Sequence, residues 1–215
     1  MRIRAVVFDL DGTLIDGYEG IHDALAFAMT RLGLPVPVRS QIREMVGHGV
    51  ESLLVRAAGP ELAAEGARLF RERYREVAVE GSRLLPGADE TLARLAGDGC
   101  VLSVASNKPL PFSRMILEAR GIAGRFAAIA GPDEFHPPKP DPAMLRSLLT
   151  AMGAGPGETV CVGDMEVDVA FARGGGCRAV VVPSGSRSAE FLRGAGADAM
   201  IDSLSDLPPA LARFV

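Results

Sequence analysis

Phe8-Asp9-Leu10-Asp11-Gly12-Thr13 places two carboxylates one residue apart at the end of an apolar run. The run, Ile3, Ala5, Val6, Val7 and Phe8, has the continuous hydrophobicity of a strand buried on both faces of a sheet. A strand of that kind should not end on two acids unless something needs them there. Side chains at i and i+2 of an extended chain point the same way, so Asp9 and Asp11 can converge on one object. Gly12 lets the backbone turn sharply, and the Thr13 hydroxyl can hold that turn. A divalent cation or a phosphate is the expected object.

Downstream of this strand the pattern changes twice. Residues 17–33 carry helical apolar spacing (Ile21, Ala24, Leu25, Ala28, Met29, Leu32), with Asp16 as N-cap and Gly33 as stop. Leu34-Pro35-Val36-Pro37 is a break, and helical patterns resume at about 39–46, 50–58 and 61–79. With no convincing strand between Asp16 and Leu84, this stretch reads as an all-helical insert spanning 17–84. From Leu85-Pro86-Gly87 onward helices alternate with short apolar strands, at about 100–105, 127–130, 159–162 and 178–182. Asp141 and Pro142 mark a helix start, and a weaker helix and strand follow near 188–202. Such alternation predicts an α/β fold, a doubly wound (Rossmann-like) parallel sheet with helices on both faces, built from 1–16 and 85–215. Ligands of such sheets bind at the carboxyl ends of the strands.

That rule gathers the polar residues. The first strand ends in Asp9 and Asp11, the next in Ser106-Asn107-Lys108, and the strand at 159–162 in Gly163-Asp164 with Asp168 four residues on. A loop between carries Pro138-Lys139-Pro140. Each has a bland reading taken singly: a turn, a helix cap, a solvated loop lysine, a charge on a helix face. Their appearance at the same end of successive strands is what the bland readings do not predict.

The basic residues sharpen this. Of 23, only Lys108 and Lys139 are lysine; the rest are arginine. A position that keeps lysine against that bias can require a compact point charge instead of a planar guanidinium. The Arg-rich stretch near 68–75 reads as a solvated helix face. A net charge of −4 offers no general attraction to nucleic acid or anionic membrane. No apolar run is long enough to span a bilayer, and the N-terminal one is broken at Asp9, so a cytoplasmic location is expected. Cys100, Cys161 and Cys177 form no CxxC pair and read as reduced core residues.

With these residues in order, the chain resembles the haloacid dehalogenase (HAD) superfamily of phosphatases, and within it the phosphoglycolate-phosphatase-like branch. The resemblance covers nearly the whole length. It is carried by residues 8–14, by Ser106-Asn107-Lys108, by Gly131 and Asp133 before Lys139-Pro140, and by Gly163-Asp164 with Asp168. The insert corresponds to that family's cap domain in position and size. The resemblance implies Asp9 as the nucleophile that takes the phosphoryl group, and Asp11 as the acid and base serving the leaving alcohol and the attacking water. It implies a Mg²⁺ ion held by Asp9, the backbone carbonyl of Asp11 and Asp164, with Asp168 orienting the metal site or Lys139. Asp11's side chain then serves the leaving group, not the ion. Lys139 screens the phosphoryl charge and Ser106 donates to a phosphoryl oxygen.

On the substrate side, the resemblance adds Asn107, Lys108 and the Val46-Gly47-His48-Gly49-Val50 loop, with Gly47 and His48 as contacts. A solvent-facing His48 in a plain helix–helix connection is the competing reading. The implied activity is Mg²⁺-dependent hydrolysis of a small phosphorylated metabolite, phosphoglycolate being favoured, by a monomer or homodimer. A phosphosugar mutase of the same fold is the first alternative and a non-catalytic phospho-ligand scaffold the second.

Overall fold

The computed structural model describes residues 2–133 and 136–214. Its centre is a six-stranded parallel sheet. The strands are β1 (Ala5–Phe8), β4 (Val101–Ala105), β5 (Ala128–Ala130), β6 (Thr159–Gly163), β7 (Arg178–Val181) and β8 (Ala199–Met200), in the order β5-β4-β1-β6-β7-β8. β1 is flanked by β4 and β6, with Ala5 opposite Val101 and Thr159. All four of its residues are buried, as the unbroken apolar run requires.

Alternate residues of these strands feed two separate cores. Val6, Phe8, Leu102, Val104, Val160 and Val162 face one side of the sheet, together with helices α5 (Ala88–Gly97) and α6 (Leu110–Ala119). Ala5, Val7, Ala105, Cys161, Ala179 and Val181 face the other, against α7 (Ala143–Met152), α8 (Glu166–Gly174) and Leu192 of α9 (Ala189–Arg193). Two-sided burial of this kind is the doubly wound arrangement.

The segment between β1 and α5 is helical with one exception. Its helices are α1 (Tyr18–Arg31), α2 (Arg39–Met45), α3 (Val50–Ala58) and α4 (Ala63–Val77). Contrary to the sequence expectation, a strand does occur before Leu85. β2 (Ile15–Asp16) pairs antiparallel with β3 (Arg83–Leu84), joining the two chain crossings at the base of the insert. Two-residue strands carry no readable alternation, so only partner pairing defines them. Leu25, Met29, Ile42, Leu54, Phe70 and Tyr74 of the insert continue the same apolar core as Val6 and Phe8. The Arg-rich face of α4 is solvated as read. Arg68 pairs with Glu65 and Glu72, and Arg73 with Asp23 and Glu76.

Two helix starts differ by one residue from the sequence reading. Gly17, not Asp16, precedes the first helical residue, while Asp16 Oδ1 still accepts from Tyr18 N at 3.3 Å. Asp141 Oδ1 likewise accepts from Ala143 N, with Pro142 at the cap position. A short helix α10 (Leu207–Leu211), outside the sequence reading, closes the core through Leu207 and Leu211. Among the described residues no helix is long and apolar enough to cross a membrane.

Candidate active site

The carboxyl ends of β1, β4 and β6 meet beneath the insert and bring the strand-end residues into one cleft. Asp9, Asp11, Ser106, Asn107, Lys108, Lys139 and Asp168 line it from the sheet side. Tyr18, Ile21, Gly47, Val50, Leu53, Phe70 and Tyr74 line it from the insert side.

Two buried lysines divide the acids between them. Lys139 Nζ lies 2.7 Å from Asp9 Oδ1 and 2.6 Å from Asp168 Oδ1, and donates to the Ala105 carbonyl at 2.9 Å. Its three ammonium protons therefore have three acceptors. Burial favours a neutral Lys139, but Asp168 and Asp9 outweigh it, so its pKa is raised and it stays charged. Lys108 Nζ lies 2.9 Å from Asp11 Oδ2 and donates to the Tyr74 hydroxyl. Asp11 and Tyr74 likewise overcome burial and raise its pKa. Asp9 and Asp11 line one cleft, as the motif leads one to expect, and within it they take different cations. The sharp turn at Gly12 (φ +82°) ends the extended geometry just beyond the pair, and each carboxylate has its own lysine.

Burial raises the Asp11 pKa and Lys108 opposes it, with burial winning. A carboxyl of raised pKa near a reacting ester is suited to give and take a proton. Asp164 is almost wholly buried, and burial together with Asp9 and Asp168 raises its pKa well above the ordinary carboxylate value. Its Oδ2 accepts from Ser186 N at 2.9 Å, whereas its Oδ1 is buried without a hydrogen-bond partner.

Oxygen atoms of Asp9, Asp164 and Asp168 lie within 4.8 Å of one another. Both Asp168 oxygens are already committed, Oδ1 to Lys139 and Oδ2 to Met165 N at 3.1 Å. The orphaned Asp164 oxygen is the one left needing a cation, because an unpaired buried carboxylate oxygen is costly. Asp9 and Asp164 therefore fit a hard divalent ion, with Asp168 occupied in holding Lys139.

Ser106 Oγ accepts from Lys108 N at 3.2 Å, which leaves its own O–H for a ligand. Gly47 lines the cleft; His48 does not. His48 is half-buried near Arg56, Glu166 and Arg187, and burial and Arg56 lower its pKa. Three participants escaped the sequence reading. Tyr74 is fixed by stacking on Phe70 and an edge contact with Phe112, and the Phe70/Tyr74 spacing on α4 could have signalled it. The Ser184-Gly185-Ser186 loop, which holds Asp164, follows β7 as the other site loops follow their strands. Tyr18 lies under the Arg43 guanidinium, 4.3 Å from the ring centre.

Acids and lysines gathered at the carboxyl ends of a doubly wound sheet, under a helical insert, define a hydrolase equipped for phosphoryl groups. A family model for haloacid dehalogenase-like hydrolases matches residues 3–176, and the chain belongs to that family. It is 35% identical to the phosphoglycolate phosphatase of Yersinia pseudotuberculosis, over 97% of this chain and 93% of that one. With the phosphoglycolate phosphatase of Escherichia coli K12 the identity is 33%, over 97% and 92% of the two chains. Among solved structures, a protein of Lactobacillus delbrueckii subsp. bulgaricus superposes with a TM-score of 0.92 at 25% identity, covering 98% and 99% of the chains. CbbY from Rhodobacter sphaeroides, solved in complex with phosphate, superposes with a TM-score of 0.81 at 29% identity, covering 95% and 96%. The chain is accordingly a phosphatase of this family, a phosphoric monoester hydrolase.

Proposed function

We propose that this phosphatase hydrolyses the phosphomonoester of a small carboxylated alcohol, phosphoglycolate first, through a phosphoryl group carried on Asp9. The observation that carries this reading is the pairing of Lys139 with Asp9 and of Lys108 with Asp11 inside one cleft. Lys139 serves the phosphoryl end. Lys108 sets a cation beside the acid at the leaving-group end, among the apolar walls of Ile21, Val50, Leu53 and Phe70. A leaving group with its own carboxylate complements that cation better than a polyhydroxylated sugar does. The names of the relatives at 33–35% identity agree.

In the first half-reaction an Asp9 carboxylate oxygen bonds to phosphorus, the bond from phosphorus to the ester oxygen breaks, and Asp11 gives the leaving alkoxide its proton. In the second, Asp11 takes a proton from water, the water oxygen bonds to phosphorus, and inorganic phosphate leaves with Asp9 restored. Lys139, fixed by Asp168, and the Ser106 hydroxyl meet the charge on the phosphoryl oxygens. Asp9, Asp164 and the Asp11 carbonyl would hold Mg²⁺, which supplies further positive charge against the phosphoryl oxygens when bound. The insert 17–84 acts as a lid on the core formed by 1–16 and 85–215, excluding bulk water during transfer. Free Cys100, Cys161 and Cys177 support a cytoplasmic setting.

The test is a phosphomonoester panel with and without Mg²⁺, including phosphoglycolate, hexose phosphates, nucleotides and pyrophosphate. The expected result is release of inorganic phosphate only with Mg²⁺, fastest from phosphoglycolate. Conversion of a hexose 1-phosphate to its 6-phosphate would instead make the chain a mutase.

A further inference from the structure

Asn107 makes three side-chain hydrogen bonds, and none is available to a substrate. Its Oδ1 accepts from the backbone N–H of Lys139 at 2.7 Å. Its Nδ2 donates to the Lys139 carbonyl at 3.2 Å and to the Gly47 carbonyl at 3.0 Å. An amide nitrogen has two protons, and both are spent. The side chain is buried at the cleft lining, with both Nδ2 protons engaged within the protein.

These three bonds join two parts of the molecule that act on different ends of a substrate. Lys139 lies in a loop before α7, where no strand or helix holds its backbone. The Asn107 amide grips that backbone on both its N–H and its carbonyl. Gly47 belongs to the insert, in the loop between α2 and α3. Its φ is +114°, and a Cβ there would lie 2.1 Å from Met165 Sδ, so the loop is seated directly on the β6–α8 turn. Gly47 can present its carbonyl to Asn107 only while the insert rests on the sheet end.

We infer that Asn107 is a positioning residue that couples closure of the insert to the placement of Lys139. This rests on the reading that Lys139 acts on the phosphoryl group at Asp9. When the insert lifts, the Nδ2 bond to the Gly47 carbonyl is exchanged for water, and the amide keeps only its two bonds to the Lys139 backbone. The same amide then holds the Lys139 peptide less rigidly, and the ammonium loses its fixed reach to Asp9. The insert walls the leaving-group end beside Lys108 and the sheet end holds the phosphoryl group, so this amide links recognition at one end to transfer at the other.

The experiment uses the full chain with Mg²⁺ and p-nitrophenyl phosphate, a general phosphatase reporter that does not depend on the natural substrate. Asn107→Asp retains an oxygen for the Lys139 N–H but opposes two carbonyls with a carboxylate. Its kcat should fall roughly 10- to 100-fold at pH 8, with KM changed by less than about threefold. Lowering the pH to 5.5 protonates the buried acid and restores one donor, so the ratio of variant to wild-type kcat should rise at least about fivefold. A merely structural defect would leave that ratio flat. Asn107→Leu should show the same loss of kcat with no recovery, and faster amide hydrogen exchange in residues 46–49. A flat pH ratio, or wild-type exchange in that loop, overturns the coupling. Lys139→Ala separates the two layers: wild-type turnover in that variant overturns the catalytic-lysine reading and the inference with it. An inactive Lys139→Ala beside a wild-type-like Asn107→Asp overturns the inference alone.

Discussion

Lys139 Nζ sits 2.7 Å from Asp9 Oδ1, on a side chain that is 2% exposed. A nucleophilic carboxylate approaching a phosphate dianion meets like charge, and a buried ammonium at that distance is a fixed counter-charge. The site has no slack for a different cation. Three acceptors use the three ammonium protons, and the Phe171 ring lies 5.7 Å beyond. Asp9→Asn should therefore abolish turnover with Mg²⁺ present. Lys139→Arg should lower kcat by about 100-fold or more despite its preserved charge, because a planar fork cannot satisfy that tetrahedral arrangement. Steady-state phosphate release measures both; wild-type kinetics for Lys139→Arg would refute the point-charge argument.

Asp11→Asn removes the proton donor and acceptor but keeps the side-chain size and a carbonyl oxygen for Lys108. Turnover should drop by about 10²- to 10⁴-fold. Acid-quenched reactions with phosphorus-labelled substrate should show both formation and decay of the protein-bound phosphoryl group slowed. If only one step slows, Asp11 serves one half-reaction.

Burial raises the pKa of Asp164, and raises that of Asp168 to about 6 against the pull of Lys139. For a carboxyl whose folded pKa exceeds its unfolded value, stability is greatest below the unfolded value and is lost as pH rises through the folded one. A bound cation reverses this, because it needs the ionised form. Mg²⁺ at 100-fold excess over its Kd should add about 2.7 kcal/mol at pH 8, roughly 5–10 °C in Tm. The gain should shrink as pH falls and the buried Asp164 carboxyl, whose pKa is raised, takes up its proton, with thermal melts as the measure. An equal Mg²⁺ effect at pH 5 and 8 would exclude Asp164 from the cation site.

The sheet and most of the residues that line the candidate site were legible because their signals are local. β1 is an apolar run that stops on acids, Ser106 and Asp164 each follow directly from a strand end, and Asp168 lies in the first turn of α8. The two exceptional lysines both proved buried, at 4% and 8% exposure, in a chain that otherwise uses arginine. What stayed illegible depends on tertiary pairing. Tyr74 meets Lys108 across 34 residues, and the Gly47 carbonyl meets Asn107 across 60. A backbone carbonyl has no residue type, so its role leaves no mark in the sequence. The two carboxylates of the opening motif take separate cations for the same reason, since their lysines come from distant segments.

Gly163 closes β6 beside Asp168, where a Cβ would lie 2.2 Å from the Asp168 carboxyl carbon. Gly163→Ala must push Asp168 aside, and with it the acid that holds Lys139. Overpacking of this kind costs about 1–3 kcal/mol. The variant should stay folded yet lose kcat far beyond what its lowered Tm explains. Parallel melts and kinetics decide this, and full activity in Gly163→Ala would show that Asp168 is dispensable for placing Lys139.

Lys108 serves two partners, and its replacement should separate them. Lys108→Met keeps the length and apolar stem but removes the charge that Asp11 Oδ2 meets at 2.9 Å. Burial then loses its main opponent at Asp11, so the pKa rises further. The acid step should persist to higher pH, and the alkaline limb of kcat should move upward. The leaving-group effect is distinct. A lost charged hydrogen bond is worth about 1.5–3 kcal/mol, so kcat/KM for phosphoglycolate should fall about 10- to 100-fold more than for p-nitrophenyl phosphate. The ratio between the two substrates isolates carboxylate recognition, because the Asp11 effect is common to both. Equal losses on both substrates would confine Lys108 to holding Asp11 and remove the physical ground for a carboxylated leaving group.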